Sequence, residues 1–169
     1  MQNLDLSRRK FLSGKFREAA TIDALQVILP PWAEADVFWE KCTQCNDCIQ
    51  QCETQVLIKG REGYPEVCFA NAECTFCGKC AEICSQPIFR PITTAAWQHK
   101  IVINNACLTQ RQVECRSCQD SCQWRAISFK PMLGQVAQPQ LNLDECNGCG
   151  ACVAACPVQA ISMVNTQTV

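Results

Sequence analysis

Residues 146–157 read Cys146-Asn147-Gly148-Cys149-Gly150-Ala151-Cys152-Val153-Ala154-Ala155-Cys156-Pro157, and this stretch decides the fold. It packs four thiols into eleven residues in the pattern C-x-x-C-x-x-C-x-x-x-C-P. A disulfide framework spreads its half-cystines to staple distant segments, whereas four thiols crowded together suit one multi-metal centre. The run is the one that ligates a [4Fe-4S] cluster, with three closely spaced thiolates on one cluster and the fourth reaching a neighbouring one. The same spacing recurs at Cys42, Cys45, Cys48 and Cys52, and again at Cys74, Cys77, Cys80 and Cys84. Three occurrences in one chain make the signal specific.

A looser fourth version lies between them. Cys115, Cys118 and Cys122 keep the C-x-x-C-x-x-x-C part, while the loop Leu108 to Glu114 separates Cys107 from Cys115. Cluster geometry fixes where sulfurs end up in space, so an expanded loop can still deliver the first ligand. The bland alternative is a zinc ion or a set of buried thiols. Zinc takes only four ligands and often uses histidine, yet His99 is the single histidine in the chain. Sixteen clustered cysteines without a clustered histidine favour iron and sulfide, giving four [4Fe-4S] sites, three from the regular runs and one from the looser run. Cys68, in the strand-like Val67-Cys68-Phe69, is the spare thiol and reads as a small hydrophobe.

Composition agrees. Of 169 residues 17 are cysteine, and taking that tenth away from the 48% apolar total leaves about 38%, lean for a self-sufficient core. Cohesion must come from cross-links that form only in the folded state, so metal binding is folding free energy. The formal charge of -1 gives no reason to expect a nucleic-acid partner. Sixteen thiolates around four oxidised cores would bring the loaded protein to roughly -9, favouring a basic partner surface. No apolar run approaches the roughly 18 residues of a spanning helix, so no transmembrane segment is expected.

The third cysteines of the four runs, Cys48, Cys80, Cys118 and Cys152, mark a fourfold internal repeat. Strand-like segments follow the first, third and last runs: Val56 to Ile58, Ile127 to Phe129 and Ile161 to Val164. Others precede the second, third and fourth: Glu66 to Phe69, Ile101 to Ile103 and Gln140 to Leu143. Turn signals at Lys59 to Pro65 and Pro131 to Gly134 suit hairpins, and Cys152 to Cys156 can make one helical turn. The expectation is an α+β chain of two tandem bacterial 2x[4Fe-4S] ferredoxin-like units, small and cluster-stapled, built of short antiparallel strands, cysteine loops and short helices. An arm at 1–36 would precede units at 37–97 and 98–169. Crossed ligation would group Cys42, Cys45 and Cys48 with Cys84, and Cys74, Cys77 and Cys80 with Cys52. It would likewise group Cys107, Cys115 and Cys118 with Cys156, and Cys146, Cys149 and Cys152 with Cys122. Only Cys156 is followed by proline, and local ligation by each run's own fourth cysteine stays open.

The four surroundings differ. Arg111, Arg116 and Arg125 attend the third run, opposed by Glu114 and Asp120, while the fourth is flanked by glycine, alanine and valine. Cationic neighbours favour the more negative reduced state, so the third site should have a higher potential than the fourth; the alternative is a solvated arginine face. No Gly-rich phosphate loop appears, and His99 has no recognisable nucleophile beside it, so no catalytic residue is assigned and an electron carrier rather than an enzyme is expected.

Within the cysteine-free arm, Ser7-Arg8-Arg9-Lys10-Phe11-Leu12 matches the twin-arginine export signature. The uncharged apolar stretch that should follow is interrupted by Lys15, Arg17, Glu18 and Asp23 and ends at Pro30-Pro31. A motif without its hydrophobic region argues for a basic amphipathic helix and against export, and the free thiols suit a reducing cytoplasm.

Taken together, the chain resembles the NapF-type ferredoxins associated with periplasmic nitrate reductase systems. Beyond the cysteine runs, the matching residues are Ser7-Arg8-Arg9, Pro30-Pro31-Trp32, Gly63-Tyr64-Pro65, Ala96-Trp97, the segment Val113 to Cys122, Gln138 to Asn142 and Cys146 to Cys152. The resemblance covers nearly the whole chain. It implies a cytoplasmic iron-sulfur accessory protein that interacts with the catalytic subunit NapA before export and assists its maturation by supplying electrons or iron-sulfur. The competing expectations are a general soluble electron carrier serving other redox partner proteins, and a zinc-stapled binding module, which would be colourless where iron-sulfur protein is brown.

Overall fold

Spacers of two and three residues leave little room for long elements, and the computed structural model, which describes residues 27–60 and 62–165, is built of short ones. In chain order they are α1 (Ala35–Lys41), α2 (Asp47–Gln50), β1 (Leu57–Lys59), β2 (Pro65–Val67), α3 (Lys79–Glu82) and β3 (His99–Ile103). A 3-10 turn (Thr109–Arg111) follows, then α4 (Ser117–Asp120), β4 (Ile127–Met132), β5 (Gln135–Leu141), α5 (Ala151–Ala154) and β6 (Ile161–Asn165). Each of α2, α3, α4 and α5 is a single turn carrying the third cysteine of its run.

The exit from a cysteine run is set by one left-handed residue. Gln55, Arg125 and Gln159 each stand three positions after a final cysteine, with φ of 56°, 52° and 50°. Their N–H groups return to the carbonyls of Cys52, Cys122 and Cys156 at 3.1, 3.1 and 3.2 Å. This closes a tight turn and sends the chain into β1, β4 and β6. After the second run the same position is Pro87, whose ring locks φ near about -65°. The left-handed turn is therefore forbidden, and no strand begins directly after Cys84 among the described residues.

The strands pair as three antiparallel ribbons. β1 and β2 form a hairpin with Leu57 opposite Val67 and Lys59 opposite Pro65. β4 and β5 form a longer one, from Ile127 opposite Leu141 to Met132 opposite Gln135. Its register slips at Pro131, which cannot donate to the ladder. β3 and β6 pair across the length of the carboxyl-terminal half, His99 opposite Asn165 and Ile103 opposite Ile161. Among the described residues the amino-terminal half has a remnant of such an outer pair, the bridge between Ala33 and Phe89, flanked by Glu34 N–H to Ile88 carbonyl at 3.0 Å and Arg90 N–H to Trp32 carbonyl at 2.9 Å. Residues 28–34, which the sequence places in the arm, are thus tied into this half, with Trp32 buried and its indole N–H donated to the Thr94 carbonyl at 2.9 Å.

The strand-like segments of the sequence lie on or beside β1 to β6. Helix α1 has no such signal in the sequence. It buries Phe38 completely and stacks Phe38, Trp39 and Tyr64 edge to face or tilted at 5.0–6.1 Å, so the helix is held down by aromatic packing at the doorway of the first run.

Two apolar clusters make the core, and thiols are part of both. One joins Val56, Leu57, Val67 and Phe69 with Cys48, Cys74 and Cys80; the other joins Ile101, Ala126, Ile127 and Ile161 with Cys146 and Cys152. Val153 and Met163 pack against both, bringing the two halves into contact. Replacing Ile127, 2% exposed, by alanine should destabilise the anaerobic loaded protein by about 2–5 kcal/mol. Leu133→Ser at the fully exposed tip of the β4–β5 hairpin should stay within about 0.5 kcal/mol. Denaturant midpoints followed by circular dichroism check the contrast.

Candidate metal centres

The first, second and fourth runs bend around their second cysteine in the same way. Left-handed residues stand on both sides of it: Gln44 and Asn46 around Cys45, Phe76 and Gly78 around Cys77, Gly148 and Gly150 around Cys149. Alternation of left-handed residues with right-handed helix starts is the backbone pattern that forms anion-cradling concavities. The third run departs from it. Arg116 follows Cys115 with φ of -136°, and the left-handed residue is Gln112, inside the expanded loop.

That loop is docked, not loose. Thr109 is buried, its carbonyl accepts the Gln138 side-chain amide at 2.9 Å, and Gln112 accepts the Val136 N–H at 3.4 Å, so the loop is fastened to β5. Fastening it delivers Cys107 to the same hollow as Cys115 and Cys118.

Four hollows result, and together they take up every cysteine that the sequence proposes as a ligand. Site one is lined by Cys42, Cys45 and Cys48 with Cys84, under Phe38, Ile88 and Phe89. Site two has Cys74, Cys77 and Cys80 with Cys52, beside Trp32, Val56 and Phe76. Site three has Cys107, Cys115 and Cys118 with Cys156, beside Ile103, Leu108 and Phe129. Site four has Cys146, Cys149 and Cys152 with Cys122, beside Ile101, Trp124 and Ile127. In each hollow the fourth cysteine comes from the other run of the same half. Cys68, half-buried, lines none of the four.

The donor chemistry fits a cationic multi-atom core. Burial is the main force raising the inner thiols, Cys48, Cys74 and Cys118 to about 11 and Cys80 and Cys152 to about 12. Such thiols stay protonated unless a cation takes the proton's place. Among the described residues no three His, Cys, Asp or Glu side chains converge tightly enough for a single ion. The four thiols of each site instead stand apart around a shared hollow, which suits a core of several atoms better than one zinc ion. Some sulfurs already have donors: the Phe76 N–H to Cys74 Sγ at 3.4 Å and the Ala160 N–H to Cys156 Sγ at 3.2 Å.

Sites three and four differ in these second partners. At site three, Thr109 Oγ1 lies 3.2 Å from Cys107 Sγ and Ser117 Oγ lies 3.7 Å from Cys115 Sγ. None of its own four thiols is buried, whereas Cys146 and Cys152 at site four are. Arg111, Arg116 and Arg125 are all exposed, and Arg116 is paired with Glu114 at 2.9 Å while lying over the Phe129 ring. Water and Glu114 therefore screen the arginines, and the hydroxyls are the stronger distinction.

Sequence reasoning does not single out the aromatic walls, Phe38 at site one, Phe76 at site two and Trp124 at site four. Trp124 sits two residues after Cys122, but nothing in that spacing says it turns to the opposite run's hollow. His99 is half-buried outside the hollows, edge-on to Trp97 at 6.1 Å, and burial holds its imidazole below the ordinary histidine range. Ser7-Arg8-Arg9 lies outside the described residues.

Known families match these same regions. Residues 113–163 match the family described as 4Fe-4S dicluster domain, and residues 39–55 match a 4Fe-4S binding domain. Over 160 residues the chain is 48% identical to the ferredoxin-type protein NapF of Escherichia coli K12, covering 94% of each. Over 165 residues it is 52% identical to the ferredoxin-type protein NapF of Haemophilus influenzae, again covering 94% of each. The chain belongs to the NapF family of ferredoxin-type proteins. A more distant likeness, 28% over 134 residues, links 72% of the chain to 46% of a component of the ion-translocating oxidoreductase complex of Methanosarcina acetivorans. As a NapF-type protein it is an iron-sulfur ferredoxin, an electron carrier or accessory protein, and its mixed short helices and strands are ferredoxin-type. No helix among the described residues is long and apolar enough to cross a membrane.

Hydrogen-bond donors to sulfur and solvent exposure both favour the reduced state of a cluster. Site three should therefore have a higher reduction potential than site four. An EPR-monitored redox titration, assigned with Cys115→Ser and Cys149→Ser variants, checks the order.

Proposed function

We propose that this protein carries four [4Fe-4S] clusters in two tandem two-cluster units, 37–97 and 98–169, and supports maturation of NapA, the catalytic subunit of periplasmic nitrate reductase, in the cytoplasm before export. The observation that carries the cluster assignment is the exchange of the fourth cysteine in all four hollows. This is the crossed arrangement expected when paired runs hold paired clusters. Each cluster, when bound, supplies a one-electron couple. The chain's own residues hold the sixteen thiolates, wall them with apolar side chains and donate N–H groups to some of the sulfurs.

A role as carrier or accessory rests on the ferredoxin-type family and on hollows whose cysteines stand among apolar walls, Phe38, Ile88 and Phe89 at site one and Ile101, Ala126 and Ile127 at site four, with the exposed Lys79–Glu53 pair at the edge of site two. NapA as partner rests on the family. The loaded chain, strongly acidic once thiolates are counted, favours a basic docking face on that partner.

A general electron-transfer ferredoxin feeding another redox enzyme would share every feature of the sites. Anaerobic wild-type protein, added to inactive cytoplasmic NapA with a reductant, should restore reductase activity. Cys45→Ser and Cys84→Ser should each lose most of that effect and remove the same EPR signal, since both thiols line site one. Activation by the ligand variants as well as by wild type would favour chaperoning over redox supply, and no activation by either would leave the general carrier. Separate EPR signals lost by the two variants would mean local ligation.

A further inference from the structure

We propose, building on the four-cluster assignment above, that the two halves are joined electronically through sites two and four, so that electrons pass in the order one, two, four, three and not in the order of the chain. The halves meet where the second and fourth runs touch. The backbone N–H of Cys74, a site-two cysteine, is donated to the carbonyl of Cys149, a site-four cysteine, at 2.8 Å. Within each half the paired runs are neighbours already, α2 packing on α3 and α4 on α5. The Cys74 to Cys149 bond therefore links two pairs into one row.

The junction is built for close approach. A Cβ on Gly150 would stand 1.9 Å from the Phe69 ring, and one on Gly148 would stand 2.5 Å from Trp97 Nε1 and 2.9 Å from the His99 carbonyl. Only glycine at these two positions, both also left-handed, lets the site-four loop lie against the aromatic side chains of the other half. Trp97 spans the gap. It meets Phe69 at 6.0 Å and Phe76, in the wall of site two, at 5.7 Å, while its indole nitrogen abuts Gly148 in the wall of site four. Among the described residues that nitrogen is buried without a hydrogen-bond partner, a cost accepted at a packed seam. Trp97 is thus a positioning residue that fixes the separation of two hollows.

Electron tunnelling falls steeply with distance, so the backbone contact marks the crossing point. In the step one electron leaves site two as it arrives at site four, or the reverse. The donor site is oxidised by one unit, the acceptor site is reduced by one, and no atom or proton moves.

The test is spin coupling in the fully reduced protein. Cys45→Ser with Cys115→Ser leaves sites two and four; its EPR spectrum should be split and broadened relative to two isolated clusters. Cys77→Ser with Cys149→Ser leaves sites one and three and should give the plain sum of two isolated signals. A plain sum from the first pair, or coupling in the second, overturns the proposed order. Iron and sulfide analysis of the wild type keeps the two ideas apart: absence of clusters sinks the four-cluster assignment itself, whereas four clusters without coupling between sites two and four sinks only the junction. Should the double variants fail to accumulate, amide-resolved hydrogen exchange on the loaded wild type decides instead. The Cys74 amide should exchange slowly, Trp97→Leu should speed it and Trp97→Phe should restore much of the protection; rapid exchange in the wild type overturns the junction.

Discussion

Each of the four cysteine-lined hollows borrows one cysteine from another run. Cys84 closes the site begun by Cys42, Cys52 closes the one begun by Cys74, and Cys156 and Cys122 do the same in the carboxyl-terminal half. The rest of the structure depends on this exchange. A hollow cannot assemble until two runs are side by side, so the hairpins β1–β2 and β4–β5, which set the runs side by side, are both scaffold and consequence. With thiols making up part of each apolar cluster, core and cofactor pocket are the same object. Cross-links formed only in the folded state then supply the cohesion that a lean apolar composition lacks.

The two halves solve this problem unequally. In the carboxyl-terminal half the chain leaves both runs through a left-handed residue, Arg125 or Gln159, and β6 returns to pair with β3 over five residues. In the other half Pro87 blocks that exit, and among the described residues a single bridge between Ala33 and Phe89 stands where a ribbon would be. Compensation comes from elsewhere. Trp32 is buried and bonded to Thr94, Phe38 is sealed under Trp39 and Tyr64, and the Lys79 to Glu53 ion pair ties the second run to the end of the first. That ion pair is exposed and adds little; the aromatic packing carries the load.

Much of this was legible in the sequence because cysteine spacing is a geometric statement. The clustering of sixteen thiols and the six strand-like segments follow from repeated short spacers and from alternating apolar residues between them, whereas the spacers alone left crossed and local grouping of the fourth cysteines both open. The rest was not legible, for physical reasons. Helix α1 is seven residues long and held by tertiary aromatic contacts, so its own sequence barely signals it. The loop between Cys107 and Cys115 is ordered by Thr109 and Gln112 bonding to β5, partners more than twenty residues away that no local pattern reveals. Arg111, Arg116 and Arg125 read either as electrostatic neighbours of a cluster or as a solvated face, and the fold divides them, leaving Arg111 and Arg125 exposed while Arg116, exposed but paired with Glu114, lies over the Phe129 ring in the wall of site three.

Within the four hollows the middle thiol does not fare equally. Cys45 and Cys77 are exposed, whereas their counterparts Cys115 and Cys149 are partly covered. Attack by dioxygen or peroxide on thiolate sulfur follows exposure. Oxidants therefore meet Cys45 and Cys77 first, each on the rim of its hollow, while the inner thiols of the same half, Cys48, Cys74 and Cys80, lie buried behind them.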